Sequence, residues 1–455
     1  MLREKALRSR QRELLETLPD HVLVIAAGQA RLKNITSSTY PFRASSTFLY
    51  FFGKLPPGSV GVFAGGESHL FIEEVGPDDV VWHGPRPSFE EYKALACVDH
   101  VKRKSELISF LGKFEPKQIL ALPTLDPVAN AELRLILDRT AKRDGPDSTL
   151  LDVIVKMRLI QDEYTLTEIR SACTVTSTAF ERGIRSVKPG VEENVIRAEM
   201  EYSARAAGFD LAFSPIVTVH GEVLHQLHSN NTARAGDILL VDFGAESNEG
   251  YASDVSRSWP VNGQFSPQQQ EIYELVLHAQ KTALLLAKPG IEFRELHQVV
   301  CETFCQGLVD LKVLTGDPHE LARRGVHALF FPHGLGHLLG LDVHDMEDFG
   351  DAAGYAEGRA RSEEFGLSFL RLDRPLVPGM VVTIEPGMYF IPALLQDSKR
   401  TKKFEDCLNL EKLKHFSDVR GIRIEDTILI TEDGNENLTT SIPKEQAELA
   451  SLINA

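Results

Sequence analysis

Four acidic side chains stand inside or at the ends of apolar runs, and this limits what the chain can fold into more than any other feature. Asp237-Ile-Leu-Leu-Val-Asp242-Phe-Gly reads as a buried strand that ends in an acid. Asn248-Glu-Gly250 has turn character, and Tyr251-Ala-Ser-Asp254-Val-Ser-Arg-Ser-Trp is a second β-type run. A hairpin about Asn248 is expected to set Asp242 and Asp254 roughly opposite each other. Like charges facing across paired strands are destabilising, so the two either separate into solvent or hold a cation between them. Taken alone, the solvent reading is the stronger. Val381-Val-Thr-Ile-Glu385-Pro-Gly puts a third carboxylate at the end of an apolar strand. The following proline favours extended backbone at Glu385. Gly421-Ile-Arg-Ile-Glu425 alternates, with Ile422 and Ile424 on one face and Arg423 and Glu425 on the other.

Between the second and third of these acids, Phe331-Pro-His333-Gly-Leu-Gly-His337-Leu-Leu-Gly-Leu-Asp-Val-His344 carries three histidines among glycines and apolar residues. Neutral imidazole is the commonest metal ligand and a frequent acid or base. His333 and His337 have the spacing of a helical zinc pair, but the glutamate of that motif is missing and the glycines argue against a regular helix. Asp242, Asp254, His337, Glu385 and Glu425 form a hard, oxygen-rich donor set suited to Mn²⁺ or a similar divalent ion. At ~4 Å and an effective dielectric of ~20, each like-charge pair in such a cluster costs roughly 4 kcal/mol. Two divalent ions would balance four carboxylates, the charge arithmetic of a dinuclear hydrolase. Spacing alone does not bring the five residues together.

The chain has the ordinary composition of a folded soluble protein. It has 455 residues, 43% apolar and 25% charged, so disorder and a small disulfide scaffold are excluded as classes. No apolar run reaches the ~18 residues of a membrane helix. The charged start is not expected to be a signal peptide. With 49 basic against 65 acidic residues, nucleic acid and anionic membrane are poor partners. Five cysteines without a Cys-x-x-Cys suggest a reduced, cytoplasmic protein. Cys301 and Cys305, four apart on one helix face, read as packed core thiols rather than a metal pair. Residues 1–17 read as a charged helix, followed by short β-type runs such as His21–Ala26 and Val60–Ala64, and by helices over 107–113 and 129–142. Arg143-Asp-Gly-Pro-Asp-Ser148 has turn chemistry without apolar period and reads as a linker. Two helices broken near Asp162 are expected over 150–187. The expected domains are therefore 1–149 and 150–455.

Asp242-Phe-Gly, Asp254, Pro332-His-Gly-Leu-Gly-His337, Glu385-Pro-Gly and Arg423-Ile-Glu425 together resemble the five-ligand pattern of the pita-bread metallopeptidases, specifically the prolidase and aminopeptidase P group. The likeness runs from about 150 to 440. Phe42-Arg-Ala-Ser-Ser-Thr-Phe-Leu-Tyr-Phe-Phe-Gly53 resembles the smaller domain of the same group. The resemblance implies an α/β (α+β) chain: a small N-terminal α/β domain and a C-terminal pita-bread catalytic domain. It implies hydrolysis of the peptide bond before proline with two divalent ions, Mn²⁺ first and Co²⁺, Zn²⁺ or Fe²⁺ as options, in a homodimer. Asp242 would bind the first metal, Asp254 and Glu425 would bridge both, and His337 and Glu385 would complete the second. Glu385 would also move the proton to the departing nitrogen. His225, His344 and His333 would face the substrate, and Arg423 would stand beside the bridging glutamate. The Asp242–Asp254 interval is one residue longer than the pattern, and Phe243 replaces a smaller residue. Three features favour an Xaa-Pro dipeptidase over an Xaa-Pro aminopeptidase. They are the long stretch from Glu385 to Glu425, the Pro-His-Gly-Leu-Gly-His wording, and Phe365-Gly-Leu-Ser-Phe-Leu-Arg371, whose arginine would grip the dipeptide carboxylate. The competing class is a metal-free binding module on the same fold.

Overall fold

The computed structural model describes residues 1–454 apart from Thr36, Pro77 and Leu227. Its contacts divide the chain into two units, Met1–Tyr164 with Asp348–Gly350 and Thr165–Glu347 with Asp351–Ala455.

In the first unit, short runs rich in β-branched and aromatic residues become strands β1 (Val22–Ala26), β2 (Val60–Ala64), β3 (Glu67–Ile72), β4 (His100–Arg103) and β5 (Ile119–Ala121). They form one sheet in the order β4-β3-β2-β1-β5. The tight β1–β2 and β2–β3 pairs are antiparallel, whereas β3–β4 and β1–β5 are parallel. One face packs Val22, Val24, Val62 and Phe71 against Leu107, Leu111 and Leu133 from helices Leu107–Leu111 and Pro127–Leu137. Helix Leu2–Thr17 begins the chain.

The expected linker is not a free one. Asp147 is buried and accepts two hydrogen bonds at 2.7 Å from Arg139 and one at 3.0 Å from Ala121 N, so the turn is fastened to β5. The next helix, Ser148–Leu159, stays with the first unit, where Tyr50 Oη donates to Met157 O at 3.0 Å. The edge of the unit therefore falls at Tyr164 rather than 149. The break between the two helices does lie beside Asp162, with the second running Glu163–Ser186.

The second unit contains β6 (Asp210–Leu211), β7 (Ile216–Thr218), β8 (Ile238–Phe243), β9 (Ala245–Glu246), β10 (Val255–Pro260), β11 (Val381–Ile384), β12 (Gly387–Tyr389), β13 (Gly421–Arg423), β14 (Asp426–Ile430) and β15 (Asn435–Asn437). They pair as β10-β8-β7, β11-β14-β15, β12-β13 and β6-β9. Glu425 N donates to Ser256 O at 2.9 Å, which joins the first of these sheets to the chain between β13 and β14. Helices Glu193–Ala206, Pro267–Leu286 and Phe293–Asp310 belong to the same unit. The second of them starts on a capping box, in which Ser266 and Gln269 exchange hydrogen bonds, with Pro267 at the first helical position. Phe243, Phe180 and Trp259 pack edge to face in the core. Phe243 points away from Asp242 along β8, so its bulk does not intrude on the acid. Among the described residues no helix is long and apolar enough to cross a membrane. The five cysteines are all free and buried.

Candidate metal centre

The two aspartates lie on neighbouring strands, in a register that differs from the expected one. Asp242 is opposite Ser256, and Asp254 sits two positions before Ser256 at the mouth of β10. The acids are therefore diagonal neighbours on one face rather than directly opposed. The chain between them forms β9, which pairs with β6, and a turn at Ser247–Gly250.

The other two carboxylates occupy a step between two ladders. Strand β11 pairs with β14 and β12 with β13, while Glu385-Pro386 and Ile424-Glu425 are the connecting residues. Pro386 has no N–H to extend a ladder, so the pairing breaks there and both acids turn to the same region. His337 is delivered by a loop that lies along β11. Thr383 N donates to His337 O at 3.0 Å, and His337 N donates to Thr383 Oγ1 at 3.1 Å. This contact needs the glycine before it: a Cβ on Gly336 would stand 2.0 Å from Thr383 O.

His337 Nδ1 donates to Leu338 O at 3.0 Å, which leaves Nε2 as a bare lone pair. That nitrogen faces Asp254 Oδ2 at 3.4 Å and Glu385 Oε1 at 3.5 Å. Donor atoms of Asp254, His337 and Glu425 all lie within 4.8 Å of one another. Asp242 Oδ1, Asp254 Oδ1 and Glu425 Oε1 are buried and have no hydrogen-bond partner. Burial, with help from neighbouring carboxylates, pushes Asp254 and Glu425 well above the ordinary carboxylate range. Burial likewise raises Glu385 and lowers His337. An imidazole lone pair and three orphaned carboxylate oxygens in one dry place repel each other unless a cation stands among them. The donor set fits divalent metal.

One buried cation is part of the protein. Arg423 Nη2 donates to Asp242 Oδ2 at 2.7 Å, Nε donates to Ser256 Oγ at 2.7 Å, and Nη1 donates to Tyr389 Oη at 3.0 Å. Ser256 in turn donates to Glu425 Oε2 at 2.9 Å. Tyr389 Oη meets His333 Nε2 at 2.9 Å, and His333 Nδ1 meets Gly334 O at 2.9 Å. With its hydroxyl oxygen already accepting from Arg423, Tyr389 donates to His333, which is then neutral and donates from Nδ1. Burial, reinforced by Arg423, pulls His333 down to about 3. Both of its nitrogens are engaged, and it lies 3.9 Å from Glu385 Oε2.

On the more open side, the His344 ring is 4.2 Å from that of His337. His344 Nδ1 meets Glu347 Oε2 at 2.5 Å, and Arg371 Nε donates to both oxygens of Glu347 at 3.0 and 3.2 Å. Burial and then His337 lower His344 to about 4, while the bond from His344 is the main reason that Glu347 falls to about 2. Among the described residues the two terminal nitrogens of Arg371 have no hydrogen-bond partner. His225 is exposed, and partial desolvation followed by the fields of Arg423 and Arg371 depresses it.

All the candidate residues thus fall in one region. Ser256, Tyr389 and Glu347 are the members that sequence reasoning missed. Ser256 could have been found by its period-2 offset from Asp254 and Glu347 by its i,i+3 spacing from His344, whereas Tyr389 carried no local signal.

The model of metallopeptidase family M24 matches residues 167–432, and that of the aminopeptidase P N-terminal domain matches residues 7–119. The chain is 31% identical over 440 residues to the Xaa-Pro dipeptidase of Homo sapiens, covering 94% of this chain and 87% of that protein. It is 32% identical over 446 residues to a probable Xaa-Pro aminopeptidase of Fusarium vanettenii, covering 95% and 92%. Among solved structures, a variant of Escherichia coli aminopeptidase P in complex with substrate superposes with a TM-score of 0.82 at 29% identity, covering 99% of this chain and 98% of that one. The zinc-substituted form of the same enzyme with product has a TM-score of 0.80, again at 29% identity and with the same coverage of both chains.

Proposed function

The chain belongs to metallopeptidase family M24, and from that premise we propose that it is an Xaa-Pro dipeptidase whose five clustered donors hold two divalent metal ions. It is a hydrolase of the peptide bond before proline, with the pita-bread architecture of the family. The observation that carries the metal assignment is the trio of buried, unpartnered oxygens on Asp242, Asp254 and Glu425 around the bare His337 Nε2.

In this reading Asp242, Asp254, His337, Glu385 and Glu425 would together hold the two ions. When bound, the ions supply an activated water and a Lewis acid for the scissile carbonyl. Mn²⁺ is the first choice because four of the five donors are carboxylates. Arg423 orients Asp242 through its Nη2–Oδ2 hydrogen bond. Glu385, whose carboxyl is raised by burial, carries a proton to the departing proline nitrogen. His225 or His344 would stabilise the charge that develops on the carbonyl oxygen. His333, locked between Tyr389 and Gly334, walls the substrate side. A homodimer and a cytoplasmic location complete the proposal; free, buried cysteines suit a reducing compartment.

The dipeptidase assignment rests on Arg371. Its Nε is fixed by Glu347 while its terminal nitrogens remain available, as a clamp for a dipeptide's carboxylate requires. The likeness to aminopeptidase P structures over nearly the whole chain favours the second reading, an Xaa-Pro aminopeptidase acting on longer peptides. Digestion of Ala-Pro and Ala-Pro-Ala by the Mn²⁺-loaded protein, followed by mass spectrometry, separates them. Cleavage of the dipeptide alone is expected, and preference for the tripeptide would favour the aminopeptidase.

A further inference from the structure

Helix Phe293–Asp310 carries His297 and Cys301 one turn apart on its buried face, and the turn Val326–Leu329 brings His327 against them. None of the three belongs to the carboxylate site. His297 is 2% exposed, Cys301 0% and His327 4%. Cys301 Sγ meets His297 Nε2 at 3.4 Å, and one donor atom from each residue lies within 4.8 Å of the others. The two rings face each other edge to face with centroids 6.1 Å apart. His297 Nδ1 has no hydrogen-bond partner, and the His327 ring has only a loose contact with the Ala322 backbone. A buried polar atom left unsatisfied is costly, so plain core packing leaves this cluster with an uncompensated penalty.

We propose that His297, Cys301 and His327 form a buried site for one soft, thiophilic metal ion, best fitted by Cu(I). Two imidazoles and a thiolate select a soft ion, whereas the hard carboxylate cluster selects Mn²⁺-like ions. Burial keeps both imidazoles neutral, with His297 near 3 and His327 near 4, so their lone pairs are free to ligate. Cys301 gives its thiol proton to solvent as the metal–sulfur bond forms, with no change of oxidation state. One thiolate then neutralises one Cu(I), and a dry pocket accepts a complex without net charge; a divalent ion would leave one positive charge uncompensated. Bonds of about 2.0–2.3 Å put donors up to about 4 Å apart, so the set closes by a movement of under about 1 Å. Cys305 is not a ligand in this scheme, because its thiol is engaged by the His327 backbone. The Phe331 ring lies 5.5 Å from His297 and 4.8 Å from His333. The ion would therefore staple the helix to the segment that leads into the carboxylate site.

The test is an anaerobic Cu(I) titration of the full-length, Mn²⁺-loaded protein against a bathocuproine competitor, read by copper-edge X-ray absorption. One equivalent per chain with one sulfur and two nitrogen scatterers is expected, together with a raised Tm. Cys301→Ser should lose the tight equivalent and the sulfur signal, while Cys173→Ser should keep both. Failure to retain copper, a sulfur-free shell, a two-sulfur shell, or equal loading of Cys301→Ser would each overturn the proposal. The wild-type shell decides the matter even if Cys301→Ser does not fold. Peptidase activity is not the readout, so failure here leaves the proposed hydrolase function untouched.

Discussion

Arg423 and Asp242, 181 residues apart in the chain, meet through a 2.7 Å hydrogen bond that puts a buried guanidinium among four carboxylates. The same arginine also reaches Ser256 and Tyr389, so one side chain orients an acid, a hydroxyl that holds Glu425, and the phenol that holds His333.

Removing such a group behind a metal ligand typically costs 10–100-fold in metal affinity or activity. Arg423→Ala is expected to lower kcat/KM by about that factor at fixed Mn²⁺. Arg423→Lys should recover only part of the loss, because an ammonium keeps the charge but not the planar fork. Steady-state kinetics of the two variants check this, and full activity in Arg423→Lys would reduce the role of Arg423 to charge alone.

Metal binding should depend on pH with a definite sign. Asp254, Glu385 and Glu425 are raised in the folded protein, by burial first. Without metal, the fold binds their protons more tightly than the unfolded chain does. That contribution is complete below the ordinary carboxylate value of about 4 and is lost as pH rises through the raised values. Divalent ions bind the deprotonated forms, so they offset this loss. The rise in Tm on adding Mn²⁺ should therefore be small at pH 5 and larger at pH 8. An increment independent of pH would contradict the cluster's role.

Arg371→Ala should weaken dipeptide binding selectively. A charge-assisted hydrogen bond contributes roughly 1.5–3 kcal/mol, which corresponds to a rise in KM of about 10–100-fold for Ala-Pro and little change for Ala-Pro-Ala. Equal effects on both substrates would make the arginine a partner of Glu347 and nothing more.

Behind the site, Arg257 is fully buried and pairs with Asp426 at 2.7 Å, while also donating to the carbonyls of Ser256 and Glu425. Burial alone would raise Asp426, but Arg257 and Lys444 hold it far below the carboxylate range. Arg257→Met leaves Asp426 underpaired, and breaking such a pair costs about 3–5 kcal/mol. Denaturant unfolding should show that loss, and a neutral result would mean that Lys444 suffices.

The acids marked the site in the sequence only together with the family resemblance, because a solvent-facing reading serves each carboxylate until the five residues are taken as one pattern. The sequence did not reveal their relative positions. Asp242 and Asp254 are offset by two residues because β9 takes up part of the chain between them, and pairing of β9 with β6 is a long-range choice. Tyr389 escaped notice because a tyrosine in a buried strand looks like core until Arg423 is seen across the β12–β13 ladder. The five-stranded sheet was foreshadowed by short β-type runs. The edge of the first unit was not, since Arg143–Ser148 has loop composition, yet Asp147 is pinned by Arg139.

The most direct measurement is the Mn²⁺ content of the purified wild-type chain after loading and desalting, by elemental analysis. Two ions per chain are predicted from the five-donor set of Asp242, Asp254, His337, Glu385 and Glu425. One ion, or none, would contradict the dinuclear account.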